Sequence, residues 1–147
     1  MESFPHPRDG ALVTHLLIVR DQDASRAFYT RVFDAEVVRE KNPVMLRLHG
    51  SWLILNSGGG PTPDKPDVVA VPPEGHGEFS SILNVRVADI DSAYRTFTER
   101  GARFLTPPVQ RPQERRCFMV DPDGHLIEIG EFEPSYLAAH GLESDSR

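Results

Sequence analysis

Val120-Asp121-Pro122-Asp123-Gly124-His125-Leu126-Ile127-Glu128-Ile129-Gly130-Glu131 is the stretch on which the reading of the fold turns. Asp121 to Gly124 form a turn for physical reasons: proline presets φ, aspartate bonds its own backbone, and glycine accepts the positive φ of a tight reversal. Two strands therefore meet here. Arg116 to Val120 leads in and His125 to Ile129 leads out, so the carboxylate of Glu128 sits in the middle of an otherwise apolar strand. Such a group points to solvent, or it points inward and needs a cation, a proton or a metal.

The chain of 147 residues has the length of one domain. Its net charge of -6, with lysines and arginines scattered singly, predicts no nucleic-acid surface and favours a small-molecule or protein partner. A single cysteine, Cys117, excludes an intrachain disulfide and reads as a buried, inert strand thiol. Met1 to Gly10 has no apolar core, and no apolar run is long enough to span a bilayer. A cytoplasmic protein with no membrane contact is expected.

Ala11 to Arg20 is rich in β-branched residues and predicts a strand buried on both faces. A helix follows from Asp23 to Phe33, then strands at Glu36 to Glu40, Val44 to His49 and Ser51 to Asn56. This is a βαβββ unit over about residues 11–57. Residues 58–78, dominated by glycine, proline and charge, read as a linker, because prolines rather than a helix follow Gly58-Gly59-Gly60. The pattern then restarts over residues 79–131. Ser80 to Val87 predicts a strand and Asp91 to Arg100 a helix, with strands at Arg103 to Leu105, Arg115 to Val120 and Leu126 to Glu131. Val19-Arg20-Asp21 aligns with Val87-Ala88-Asp89, and the spacing Gly50 to Ile54 repeats as Gly124 to Glu128. The chain is an internal duplication. The proline-rich segment Thr106 to Gln113 reads as an inserted loop. In the tail of residues 132–147, Pro134 is placed to start a short helix over Ser135 to His140, and Leu142 to Arg147 is expected to be disordered.

Duplicated βαβββ units, the pair Phe28-Tyr29 in the first helix and the closing hairpin together resemble the vicinal oxygen chelate superfamily, the glyoxalase I, bleomycin-resistance and extradiol-dioxygenase group. The likeness runs from Leu12 to Glu131. It implies an α+β fold in which two tandem βαβββ modules form a cup with their mixed sheets, as a single domain that pairs into a homodimer. It also implies a divalent metal, bound by the first and last strands of each unit, that chelates substrate oxygens as a Lewis acid.

Carried over by position, the ligands of the resemblance fall on Glu128, Ile54, Thr14 and Ile82. Only Glu128 is a usual ligand. His15 is one residue from the first-strand position, on the opposite face unless a bulge intervenes. Two readings follow. Either His15 swings in beside Glu128 and the protein is a metal-dependent lyase, isomerase or dioxygenase, or the wall is an apolar pocket with a few convergent polar groups. In the second case Thr14, Ile54, Ile82, Asn84, Arg86 and Phe118 line the substrate pocket. Arg86 would pair with Glu128, or an unpaired Glu128 would act as a general base. The alternative to an enzyme is a non-catalytic binder that sequesters a small molecule, as in bleomycin resistance. His125 reads as structural and Trp52 as core, and Arg111, Arg115 and Arg116 with Glu114 as a solvated charge patch.

Overall fold

The computed structural model describes residues 3–142. The tail expected to be disordered lies, apart from Leu142, outside them. The fold is α+β with two open mixed sheets, one in each of two compact units; the first unit has the order βαβββ, and the second adds a short extra strand to that order.

The first unit comprises the residues up to Glu78 together with the turn Asp121–His125. Its strands are β1 (His15–Val19), β2 (Glu36–Arg39), β3 (Val44–Leu48) and β4 (Ser51–Ser57), and its helix is α1 (Gln22–Phe33). The sheet order is β1-β4-β3-β2, with β1 and β4 parallel and the other pairs antiparallel. Asp21 starts α1 by accepting from the backbone N–H groups of Asp23 and Ala24, which would otherwise lack partners. Phe28, Tyr29, Val32 and Phe33 then recur on one helix face and are buried with Leu17, Val19, Leu46, Leu53 and Leu55. Each such side chain contributes about 1.5–3 kcal/mol by leaving water. The expectation of a first strand buried on both faces needs correcting. Leu16 is 52% exposed and Val13 90% exposed, and residues 11–14 lie outside β1, so only the helix-facing side is core.

The turn Asp121–His125 is the most heavily bonded segment of this unit. Asp121 Oδ1 accepts the backbone N–H groups of Asp123 and His125, both at 2.9 Å, and the Tyr29 hydroxyl donates to Asp121 Oδ2 at 2.9 Å. Asp123 accepts from the Arg20 backbone N–H at 2.8 Å and from the Ser25 hydroxyl at 3.2 Å. Gly124 has φ +95°, and a Cβ there would stand 2.8 Å from the Gly75 carbonyl oxygen, so no other residue fits the turn. His125 Nε2 lies 2.8 Å from the Ile18 carbonyl oxygen.

The second unit comprises Phe79–Val120 and the residues from Leu126 onward. Its elements are β5 (Leu83–Arg86), α2 (Ile90–Glu99), β6 (Arg103–Phe104), β7 (Val109–Gln110), β8 (Glu114–Val120), β9 (Leu126–Phe132) and α3 (Pro134–Ala139). The order is β5-β9-β8-β6, with β7 also paired to β8. The proline-rich segment is thus not only a loop, since Val109 and Gln110 ladder with Arg116 and Arg115. Asp89 and Glu131 satisfy the first turn of α2 through the N–H groups of Ser92 and Ile90. Ile90, Phe97, Cys117, Met119, Ile127 and Ile129 form the core of this unit. These strand residues alternate with a second, open face.

Candidate functional site

Side chains opposite one another in a ladder share a face, so the register of the second unit fixes which residues meet. Asn84 pairs with Glu128, and Glu128 with Phe118. Arg86 pairs with Gly130, and Gly130 with Arg116. Phe132 pairs with Glu114. These rows lie on the open face, away from the core formed with α2.

Arg86 is the centre of this face. Its Nη2 lies 2.8 Å from Glu114 Oε2 and its Nη1 lies 3.7 Å from Glu128 Oε1, while the guanidinium carbon stands 4.1 Å from the centre of the Phe132 ring. Gly130 makes the arrangement possible, because a Cβ at that position would stand 2.1 Å from Arg86 Nη1. Arg116 Nη1 lies 3.4 Å from Glu114 Oε1, and its guanidinium carbon is 5.7 Å from the centre of the Phe118 ring. Two guanidinium groups and two carboxylates thus form one charge-balanced cluster. The side chain of Glu128 is 14% exposed and that of Glu114 18%, so both carboxylates are largely withdrawn from water.

The other residues singled out in the sequence fall elsewhere. Ile82 precedes β5 and Thr14 precedes β1, each half-buried. Ile54 pairs with Leu16 and Met45 on the face of the first sheet turned away from α1. His15 pairs with Leu53 in an unbroken register and so shares the opposite, helix-covered face. The bulge that would turn His15 toward Ile54 is not there. Burial, and secondarily the charge of His125, lowers the His15 pKa, as for an imidazole held neutral in a packed setting.

Among the described residues no three His, Cys, Asp or Glu side chains stand together as metal donors. The divalent metal implied by the resemblance is not fitted by these residues. Thr14, Ile54 and Ile82 offer one hydroxyl and two hydrocarbons, and Glu128 has a guanidinium beside it.

Reading the residues one by one left Gly130 and Phe132 unremarked and put Glu114 in a solvated patch. The hairpin register would have found all three. Stepping out two at a time from Val120 and Leu126 pairs Phe118 with Glu128, Arg116 with Gly130 and Glu114 with Phe132.

Comparison with known proteins places the chain in a class. Residues 11–129 match the profile of the Glyoxalase/Bleomycin resistance protein/Dioxygenase superfamily, and the chain belongs to that superfamily. It is 28% identical over 116 residues to metallothiol transferase FosB of Shouchella clausii, covering 76% of this chain and 73% of that protein. Solved structures share the fold. A glyoxalase/bleomycin resistance protein/dioxygenase from Nocardioides superposes with TM-score 0.67 at 23% identity, covering 86% of each chain. The antibiotic-binding protein TnmS3 from Streptomyces sp. CB03234 gives 0.63 at 21% identity, covering 87% of this chain and 100% of that one. The fosfomycin resistance protein FosX from Listeria monocytogenes, complexed with Mn(II) and sulfate, gives 0.63 at 18%, covering 90% and 98%.

Proposed function

We propose that this protein binds a small organic molecule on the open face of its second sheet, without a resident metal, and sequesters it. The observation that carries the reading is Arg86 fixed between Glu114 and Glu128, which puts a guanidinium beside the one family ligand position that keeps a carboxylate. Asn84, Arg86, Phe118 and Glu128 supply hydrogen-bonding groups and an aromatic edge, the mixture that small-molecule sites use to orient a ligand. Ile82, just ahead of β5, belongs to this proposal as an apolar wall residue. Action in the cytoplasm as a homodimer fits the family resemblance, and sedimentation of the purified protein checks the dimer.

A second reading is favoured by the similarity to a metallothiol transferase. In it the protein modifies its ligand as a lyase, isomerase or dioxygenase, with Glu128 as general base or as a metal ligand. One experiment separates the two. Chelator-treated protein is titrated calorimetrically with a panel of antibiotics, catechols and thiol adducts of α-ketoaldehydes, and each mixture is then followed by mass spectrometry with and without divalent metal and thiol. Stoichiometric binding of an unaltered ligand supports sequestration; product formation supports the enzyme.

A further inference from the structure

The two carboxylates on the open face are not equivalent. Glu114 is engaged through both oxygens, with Oε2 at 2.8 Å from Arg86 and Oε1 at 3.4 Å from Arg116. Glu128 is paired more loosely, with Oε1 at 3.7 Å from Arg86 Nη1. A carboxylate has about four acceptor positions. Glu128 is largely but not wholly withdrawn from water, so its oxygens stay open to a further donor. Both guanidinium groups, by contrast, already have a carboxylate partner. Glu128 also sits in a row between Asn84, an exposed amide, and Phe118, its register partner on the neighbouring strand.

We infer that Glu128 is the recognition point for a hydrogen-bond-donating, positively charged nitrogen on the ligand, an amine or amidine carried by a flat or aromatic body that lies along Phe118. This rests on the binding reading above and names the ligand class for that site. Charge decides the class. A dianionic phosphonate or phosphate placed in the same row would meet Glu128 directly, and its attraction to Arg86 and Arg116 is offset by Glu114 and Glu128 together. A cation meets a loosely paired acceptor, and an aromatic face adds to its attraction.

The test uses benzamidine and phenylphosphonate, which share a ring and differ in the sign of their charge. Each is titrated into the chelator-treated full-length protein and followed by amide resonances in two-dimensional NMR. Benzamidine is expected to shift Asn84, Phe118 and Glu128 with a saturable isotherm, and phenylphosphonate to leave them in place. Glu128→Gln should weaken benzamidine about tenfold or more. Glu128→Lys should reverse the preference, and a folded spectrum of either variant is enough for the comparison. The inference is overturned if phenylphosphonate binds the wild type as well as benzamidine does, if Glu128→Gln leaves benzamidine affinity unchanged, or if benzamidine produces no shifts. A neutral ligand that binds wild type and Glu128→Gln alike would overturn this inference and leave the binding reading standing.

Discussion

The guanidinium of Arg86 occupies the space directly above Gly130, where a Cβ would approach Nη1 to 2.1 Å. Glycine at this position in β9 therefore acts by what it omits. Without a side chain on the open face, the arginine lies flat across the strand, reaches Glu114 on β8 and stacks on Phe132.

Gly130→Ala should dislodge Arg86 with little damage to the fold. The obstructing atom is the far end of a flexible side chain, and alanine fits a strand interior better than glycine does. Stability is expected to stay within about 1 kcal/mol of wild type, while affinity for the bound small molecule drops about tenfold. Chemical denaturation and calorimetry read the two effects separately. Equal losses in both would place Gly130 among purely structural residues.

Tyr29→Phe removes the hydroxyl that donates to buried Asp121 at 2.9 Å. Leaving that acceptor short of a partner costs about 1–3 kcal/mol. Burial holds the Asp121 carboxyl above its usual range, and the Tyr29 hydrogen bond opposes that rise by favouring the charged form. In the wild type, then, ionising Asp121 costs stability that grows as pH rises from about 3.8 through the raised folded value. The Tyr29→Phe penalty should be largest at neutral pH and shrink in acid, once Asp121 is protonated in both proteins. Urea denaturation from neutral to acid pH tests this, and a penalty independent of pH would contradict it.

His15 gives a pH dependence of opposite sense. Its folded pKa is lowered chiefly by burial, so the unfolded chain takes up the proton first as pH falls. The contribution of neutral His15 is fully present above the unfolded value of about 6.5 and is lost as pH falls through the lowered folded value. His15→Gln should flatten the stability profile in that window. An unchanged profile would show that another group carries it.

Cys117 is buried in β8, and burial raises its thiol pKa to about 11. At pH 8 the native protein should react negligibly with a disulfide reagent such as dithionitrobenzoate, and in guanidinium it should release close to one equivalent of thiolate. Fast labelling of the folded protein would mean that the second sheet opens on the labelling timescale.

The succession of helix and strands in each unit, apart from β7, and the duplication were legible because each unit repeats the same local signals. Asp21 and Asp89 cap helices, apolar residues follow at helical spacing, and Asp121-Pro122-Asp123-Gly124 leaves the chain no option but a reversal. The ends of β1 were less legible. Ala11 to Val13 is as apolar as the strand itself, and composition does not reveal that these residues lie outside it. Arg86 and Glu128 were legible as possible partners from alternation alone, and the structure sets them 3.7 Å apart. The dominant partner of Arg86, Glu114, was hidden among neighbouring arginines, because its role depends on the register between β8 and β9 and on the gap left by Gly130. The role of Asp121 and Asp123 in anchoring Tyr29, Arg20 and Ser25 was equally out of reach, since those contacts join residues about a hundred positions apart in sequence.

In this reading the open face around Arg86 and Glu128 is a ligand site that works without a metal. The most direct measurement is an amide NMR titration of chelator-treated protein with the tightest ligand from the calorimetric panel. Saturable shifts centred on Asn84, Arg86, Phe118 and Glu128 are expected, with no change in affinity when divalent metal is restored. Binding that appears only after metal is added, or shifts centred on the Leu16, Met45 and Ile54 face of the first sheet with none on β9, would contradict it.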